Sequence, residues 1–198
     1  MLLDQLQKHY VHITCVQEMR WLGTGTIEKK DWIIFYGCDA KEHKFGTGFV
    51  IHKRVKHLVM SFEPKSPRMC SLRIRGKLFN YSIINAHAPI EDKTDSEKDA
   101  FYDELRKLYD ACPKRDVKLI IGDLNLQIGK EAICYLTIGK EAFHQESNEN
   151  GKRLIHFAAS RNMVIGSTLF QHKEIHKMTW RSPDMQYFSQ IGHLLIDS

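Results

Sequence analysis

Four polar side chains stand where apolar runs stop: Glu18 closing "VHITCVQE", His87 in "NAHAP", and Asp123 with Asn125 in "VKLIIGDLN". In open α/β sheets the functional crevice lies beyond the carboxyl ends of the strands. Asp123 and Asn125 are two residues apart, so an extended chain turns both to one side. A carboxylate beside an amide, joined by a second carboxylate from a neighbouring strand, makes an oxygen-rich site. Such a site suits Mg²⁺ (or Mn²⁺ in its place), which takes hard ligands and keeps some waters for a substrate. His87 could donate a hydrogen bond to a phosphate oxygen. Each signal also has a plainer reading. A Gly-Asp step after a strand makes an ordinary turn, and an acid or histidine at a strand end is commonly a surface terminus.

Other spacings carry less. His172 and His176 are four apart, as zinc ligands on a helix would be. "TLFQHKEIHKMTW" reads instead as strand and turn, where such residues lie about 13 Å apart. The pairs Gly23/Gly25 and Gly46/Gly48 lack the strand–loop–helix setting of a nucleotide loop and read as turns or bulges.

The elements that must position these residues follow from periodicity. "MLLDQLQKHY" places Leu2, Leu6 and Tyr10 at i, i+4 and i+8, an amphipathic helix. "VHITCVQE", "WIIFYG" and "TGFVIHK" read as strands. "RMCSLRIRGKLFNYSIINAHAP" reads as a hairpin turning at Arg75-Gly76-Lys77. A charge run leads into a helix with Phe101, Leu105 and Leu108 on one face, and Ser96 with Asp99 resembles a capping box. "VKLIIGDLN" is the clearest buried strand and "NENGKRLIHFAASRN" a further helix. "MVIGSTLF", "KMTWRSP" and "SQIGHLLID" close the chain as strands, the last with Gly192 in mid-run.

The chain has 198 residues, 42% hydrophobic and 27% charged, as expected of one soluble α/β domain over 1–198. No run approaches the roughly 18 apolar residues of a membrane span. Five cysteines without C-x-x-C spacing point to reduced thiols and an intracellular site, nucleus or cytoplasm. A net charge of +5 is compatible with a polyanionic partner without requiring one.

Taken in order, "VQE", "NAHAP", "GDLN", Thr179-Trp180 and "QIGHLLIDS" resemble the endonuclease/exonuclease/phosphatase superfamily, and most of all its retrotransposon-type endonucleases. The resemblance implies an α/β fold of two face-to-face sheets flanked by helices. It implies Mg²⁺-dependent hydrolysis of a phosphoester, with DNA as substrate. Glu18 would bind the metal, Asp123 would orient and deprotonate the attacking water, and Asn125 would hold the scissile phosphate. His87 falls where many members carry a phosphate-contacting Tyr.

The resemblance also exposes departures. Where the family has the Asp of an Ile-Asp-His pattern, this chain has Gly192. His193 cannot replace it, because neighbouring strand residues point to opposite faces; Asp197, five residues on, faces away as well. The Asn-bearing strand that opens the family and the Ser-Asp-His that closes it do not occur in the sequence, which implies a domain truncated at both ends. A positioned acid or base contributes roughly 10²–10⁴-fold to rate, and residues acting as one unit fail together. The expectation is a retroelement-derived nuclease-like domain with impaired or absent catalysis. Competing readings are an active Mg²⁺-dependent DNA endonuclease, a non-catalytic nucleic-acid or protein-binding module, and a fragment without selected function.

Overall fold

The computed structural model describes residues 2–198. Two compact units emerge: the chain up to His87 together with Lys107–Lys118, and Ala88–Arg106 together with Leu119–Ser198.

The first unit opens with helix α1 (Leu2–Lys8) and strands β1 (Ile13–Val16), β2 (Thr24–Lys29), β3 (Trp32–Gly37) and β4 (Thr47–His52). These strands form an antiparallel sheet in the order β1-β4-β3-β2. Strands β5 (Val59–Ser66), β6 (Met69–Ile74) and β7 (Tyr81–His87) pair in sequence order. Strands β3 and β4 are apolar on both faces because both faces are covered. One face carries Ile33, Phe35, Phe49 and Ile51, and it meets the β5–β7 layer where Phe62 lies 5.4 Å from Phe35 and 6.3 Å from Phe49. On the other face Trp32 and Val50 cluster with Leu6 of α1, and Leu3 packs against them. Of the helix positions expected to be apolar contacts, Leu6 is buried, whereas Leu2 and Tyr10 are exposed. Tyr10 has left the helix, with φ at 54°.

Asp116 closes the β6–β7 layer. Its carboxylate, nearly inaccessible, receives Arg73 Nε at 2.7 Å, Arg73 Nη2 at 3.0 Å and Ser82 Oγ at 2.8 Å.

Helix α2 (Asp95–Ala111) buries Phe101, Leu105 and Leu108, as the periodicity requires. Its capping box is Thr94 with Glu97 rather than Ser96 with Asp99: Thr94 Oγ1 accepts from Glu97 N, and Glu97 Oε2 accepts from Thr94 N. Strand β8 (Val117–Asp123) runs into the second unit, which holds α3 (Glu149–Ala159), β9 (Met163–Ile165), α4 (Glu174–Lys177), β10 (Trp180–Arg181), β11 (Phe188–Ser189) and β12 (Gly192–Asp197). Strand β12 lies between β8 and β9, antiparallel to both. The expected strand over "SQIGHLLID" is broken at Gln190 and Ile191, so Gly192 starts a strand rather than interrupting one. The segment around His176 forms the short helix α4 instead of a strand; His172 precedes that helix. Among the described residues no helix is long and apolar enough to cross a membrane.

Candidate phosphoester site

In the first unit, β1 ends at Val16 and the chain turns sharply. Glu18 and Arg20 both take left-handed backbone, with φ of 52° and 53°. That turn is held by Met19 N donating to Gly46 O at 3.1 Å and Arg20 N to Phe45 O at 2.7 Å. Beneath it lies Asn85, fully buried, whose amide donates to Val16 O and Gly48 O and accepts from Gln17 Nε2 at 2.6 Å. Asn85 therefore fixes where the β1 terminus presents Glu18, a role that the bare sequence does not disclose.

The Glu18 side chain is 53% exposed, with Oε2 2.8 Å from Arg20 Nη2 and Oε1 4.0 Å from His87 Nε2. The second separation is beyond hydrogen-bond reach. His87 is buried at the end of β7, contrary to the surface reading of a strand-end histidine. Its ring lies edge-on to Phe45 at 6.0 Å; Arg68 stacks over Phe45 at 3.8 Å and donates to His87 O at 3.1 Å. The geometry joins Glu18 and His87 in one partly aromatic corner, beside the guanidiniums of Arg20 and Arg68.

A magnesium ion needs a near-octahedral shell of oxygen ligands. Glu18 offers one carboxylate, with a guanidinium already on one of its oxygens. Among the described residues no three His, Cys, Asp or Glu side chains cluster so as to hold a metal. Glu18 is thus the carboxylate that this corner would offer a divalent cation, with water filling the other positions.

In the second unit, Asp123 ends β8 and Asn125 follows in left-handed backbone with φ at 48°. Extended chain is thus not what relates them. Asp123 Oδ1 accepts from Asn125 N at 3.2 Å, a turn closed by the side chain. Asn125 Nδ2 donates to Ala88 O at 2.9 Å, and Ala88 N donates to Asp123 O at 2.9 Å, so the segment after β7 grips the loop from one side.

Gly192 pairs with Asp123 across the β8–β12 ladder. Leu124 N donates to Ile191 O, which makes 123/192 the adjacent non-hydrogen-bonded pair, where side chains approach most closely. Thr179 Oγ1 accepts from both Ile191 N at 2.8 Å and Gly192 N at 3.0 Å. A Cβ on Gly192 would meet Thr179 atoms at 3.6–3.7 Å, ordinary contact, and the backbone there is not left-handed. Neither sterics nor conformation calls for glycine. His193 points the other way, buried, with Nδ1 2.9 Å from Ser167 Oγ and Nε2 3.1 Å from Gln190 O. Burial pushes its pKa down to about 4.

No family model matches the chain. It is 33% identical over 192 residues to craniofacial development protein 2 of Bos taurus and, equally, of Tragulus javanicus, covering 97% of this chain. The chain spans about a third of the length of these curated relatives, 32% and 33%. Among solved structures, the endonuclease domain of TRAS1, a telomere-specific non-LTR retrotransposon, superposes with a TM-score of 0.64 at 12% identity, over all of this chain and 78% of that one. An endonuclease/exonuclease/phosphatase family protein from Leptotrichia buccalis C-1013-b gives 0.61 at 9% identity, over all of this chain and 80% of its own. The chain therefore has the α/β fold of the endonuclease/exonuclease/phosphatase proteins.

Proposed function

We propose that this chain is a nuclease-like domain of retroelement origin that binds DNA through its phosphodiester backbone and hydrolyses it poorly or not at all. The observation that carries this reading is Gly192 opposite Asp123: the position best placed to add a second carboxylate beside Asp123 has no side chain. His193 lends no imidazole to that face, since Ser167 and Gln190 hold it on the other. Acid–base groups of one catalytic unit depend on one another, so the loss of one forfeits most of their joint roughly 10²–10⁴-fold contribution.

The retained residues suit binding. Asn125 keeps an amide at the loop tip for a phosphate oxygen, and Asp123 can accept a hydrogen bond from water. Arg20 and Arg68 make the corner around Glu18 and His87 attractive to an anion. DNA is favoured over small phosphoesters by the likeness to a retrotransposon endonuclease domain and by the net charge of +5. Magnesium would supply charge neutralisation at the phosphate; here it would find Glu18 as one ligand and water for the others, a weak hold. The rival reading, an active endonuclease, draws on the intact Glu18, Asp123 and Asn125.

The test is nicking of supercoiled plasmid with Mg²⁺ by the parent chain and its Asp123→Ala variant, beside DNA affinity measured against salt. The proposal expects no nicking above background from either, with salt-sensitive binding retained by both, since phosphate contacts release counterions. Metal-dependent nicking by the parent that Asp123→Ala abolishes would establish the active reading instead.

A further inference from the structure

The residues "NENG" (Asn148 to Gly151) open helix α3, and their contacts converge on the Asp123–Asn125 loop. Asn148 caps α3, its Oδ1 accepting from Gly151 N at 2.9 Å, and the same oxygen accepts from Gln127 N at 3.0 Å. Asn148 N returns a bond to Gln127 O at 3.3 Å. Gly151 permits this closeness: a Cβ there would lie 2.1 Å from Gln127 O. Asn150, 2% exposed, goes further. Its Nδ2 donates to Asn125 O at 3.2 Å and to Pro89 O at 3.0 Å, its backbone N donates to Glu91 Oε2 at 3.3 Å, and its backbone O accepts from Tyr102 OH at 3.3 Å.

The amide orientation is dictated. Both Nδ2 hydrogens meet carbonyl oxygens, and the flipped amide would face those carbonyls with its own oxygen. Oδ1 is buried without a hydrogen-bond partner, an unfavourable state retained because the opposite edge is committed. Asn125 itself is held on two sides: its side chain by Ala88 O, its carbonyl by Asn150.

We propose that Asn150 is a positioning residue that fixes Asn125 to receive a phosphate oxygen, by tying the loop after β8 to the Ala88–Pro89 segment. The phosphate role rests on the DNA-binding reading above; the tie itself does not. A misplacement of about 1 Å in such a group can cost up to about 100-fold in function, so roughly tenfold is expected from losing one of the two restraints on Asn125.

The experiment uses the whole chain with Asn150→Asp, isosteric but unable to donate when ionised, and Asn150→Ala. Hydrogen exchange of the Asn125 side-chain amide, followed by NMR without DNA, tests the tie. Affinity for a short duplex, taken across a salt series, tests the consequence. Both variants are expected to exchange the Asn125 amide about tenfold faster and to bind duplex about tenfold more weakly. The salt slope should not change, because the ionic contacts persist; general unfolding would lower it. Unchanged exchange and affinity in both variants overturn the proposal. Faster exchange in the variants with no DNA binding by the parent would sink the DNA reading and the phosphate role while sparing the tie. If neither variant folds, the parent decides: fast exchange of its own Asn125 and Asn150 amides overturns the proposal, and slow exchange of both supports it.

Discussion

Placing a carboxylate at position 192 tests the central geometry. Gly192→Asp places its Cβ in ordinary contact with Thr179 and requires no left-handed backbone, so neither the Cβ nor the main chain adds strain. The new group would stand directly across the ladder from Asp123. Side chains so paired are about 5 Å apart, and two unit charges at that distance repel by about 1–3 kcal/mol for effective dielectric constants between roughly 80 and 20. Replacing a strand glycine returns about 0.5–1 kcal/mol by reducing the freedom of the unfolded chain. The repulsion raises the folded-state pKa of the carboxyl pair above its unfolded value. The folded state then holds more protons, so stability falls as pH rises through that range and is regained on acidification. Urea melts of parent and variant from about pH 4 to about pH 8 should show a deficit of about 1–2 kcal/mol at neutral pH that vanishes near pH 4. Plasmid nicking should stay at background, because His193 remains turned toward Ser167 and Gln190. A deficit independent of pH would refute the register argument. Nicking by the variant alone would refute the proposal that one added acid leaves the chain without catalysis.

Three further outcomes follow from buried contacts. Asp116→Ala removes the acceptor shared by Arg73 and Ser82 and should cost about 1–3 kcal/mol in denaturant melts, since solvent reaches the Arg73 left behind. Arg73, and then Ser82, hold the Asp116 carboxyl below its usual range, so this stability is present above about pH 4 and lost as pH falls through the lower folded-state value; the variant's acid limb should be flatter there. His193 loses stability in a separate window: with a folded-state value of about 4 against 6.5, the unfolded chain binds its proton first, and about 3 kcal/mol should disappear between roughly pH 6.5 and pH 4. His193→Gln should flatten that limb, and an unaltered limb would show that the imidazole is solvated. Gly151→Ala drives a methyl against Gln127 O and should cost about 1–3 kcal/mol with weaker DNA binding; a neutral result would mean that the contact relaxes freely.

What the sequence disclosed divides along physical lines. Strands β3 and β4 are legible because cover on both sides leaves an apolar run, and β8 by the shorter run Leu119–Ile121, of which Ile120 is fully buried. Strands β2 and β5 are edge strands, and their sequences hide them. Strand β2 is mostly exposed and carries Thr, Glu and Lys, while β5 contains Pro64 beside a register shift. The cap of α2 falls two residues before the Ser96/Asp99 pair that the sequence suggests, because Thr94/Glu97 satisfies the same spacing and Thr94 is the hydroxyl that lies just outside the helix. Glu18, His87, Asp123 and Asn125 could be picked out by residue type at strand ends, but type does not say what holds a side chain. Asn85 acts on residues 37 and 69 positions away, and Asn150 on residues 25 and 61 positions away. These supports are asparagines with both amide hydrogens spent on backbone carbonyls, a pattern visible only once the chain is folded. Gly192 is the converse case. Its type suggests a backbone requirement, yet Thr179 leaves room for a methyl and the backbone is one that other residues adopt. The glycine therefore reports no need of the fold: what it changes is the chemistry opposite Asp123, so any constraint on position 192 must come from function.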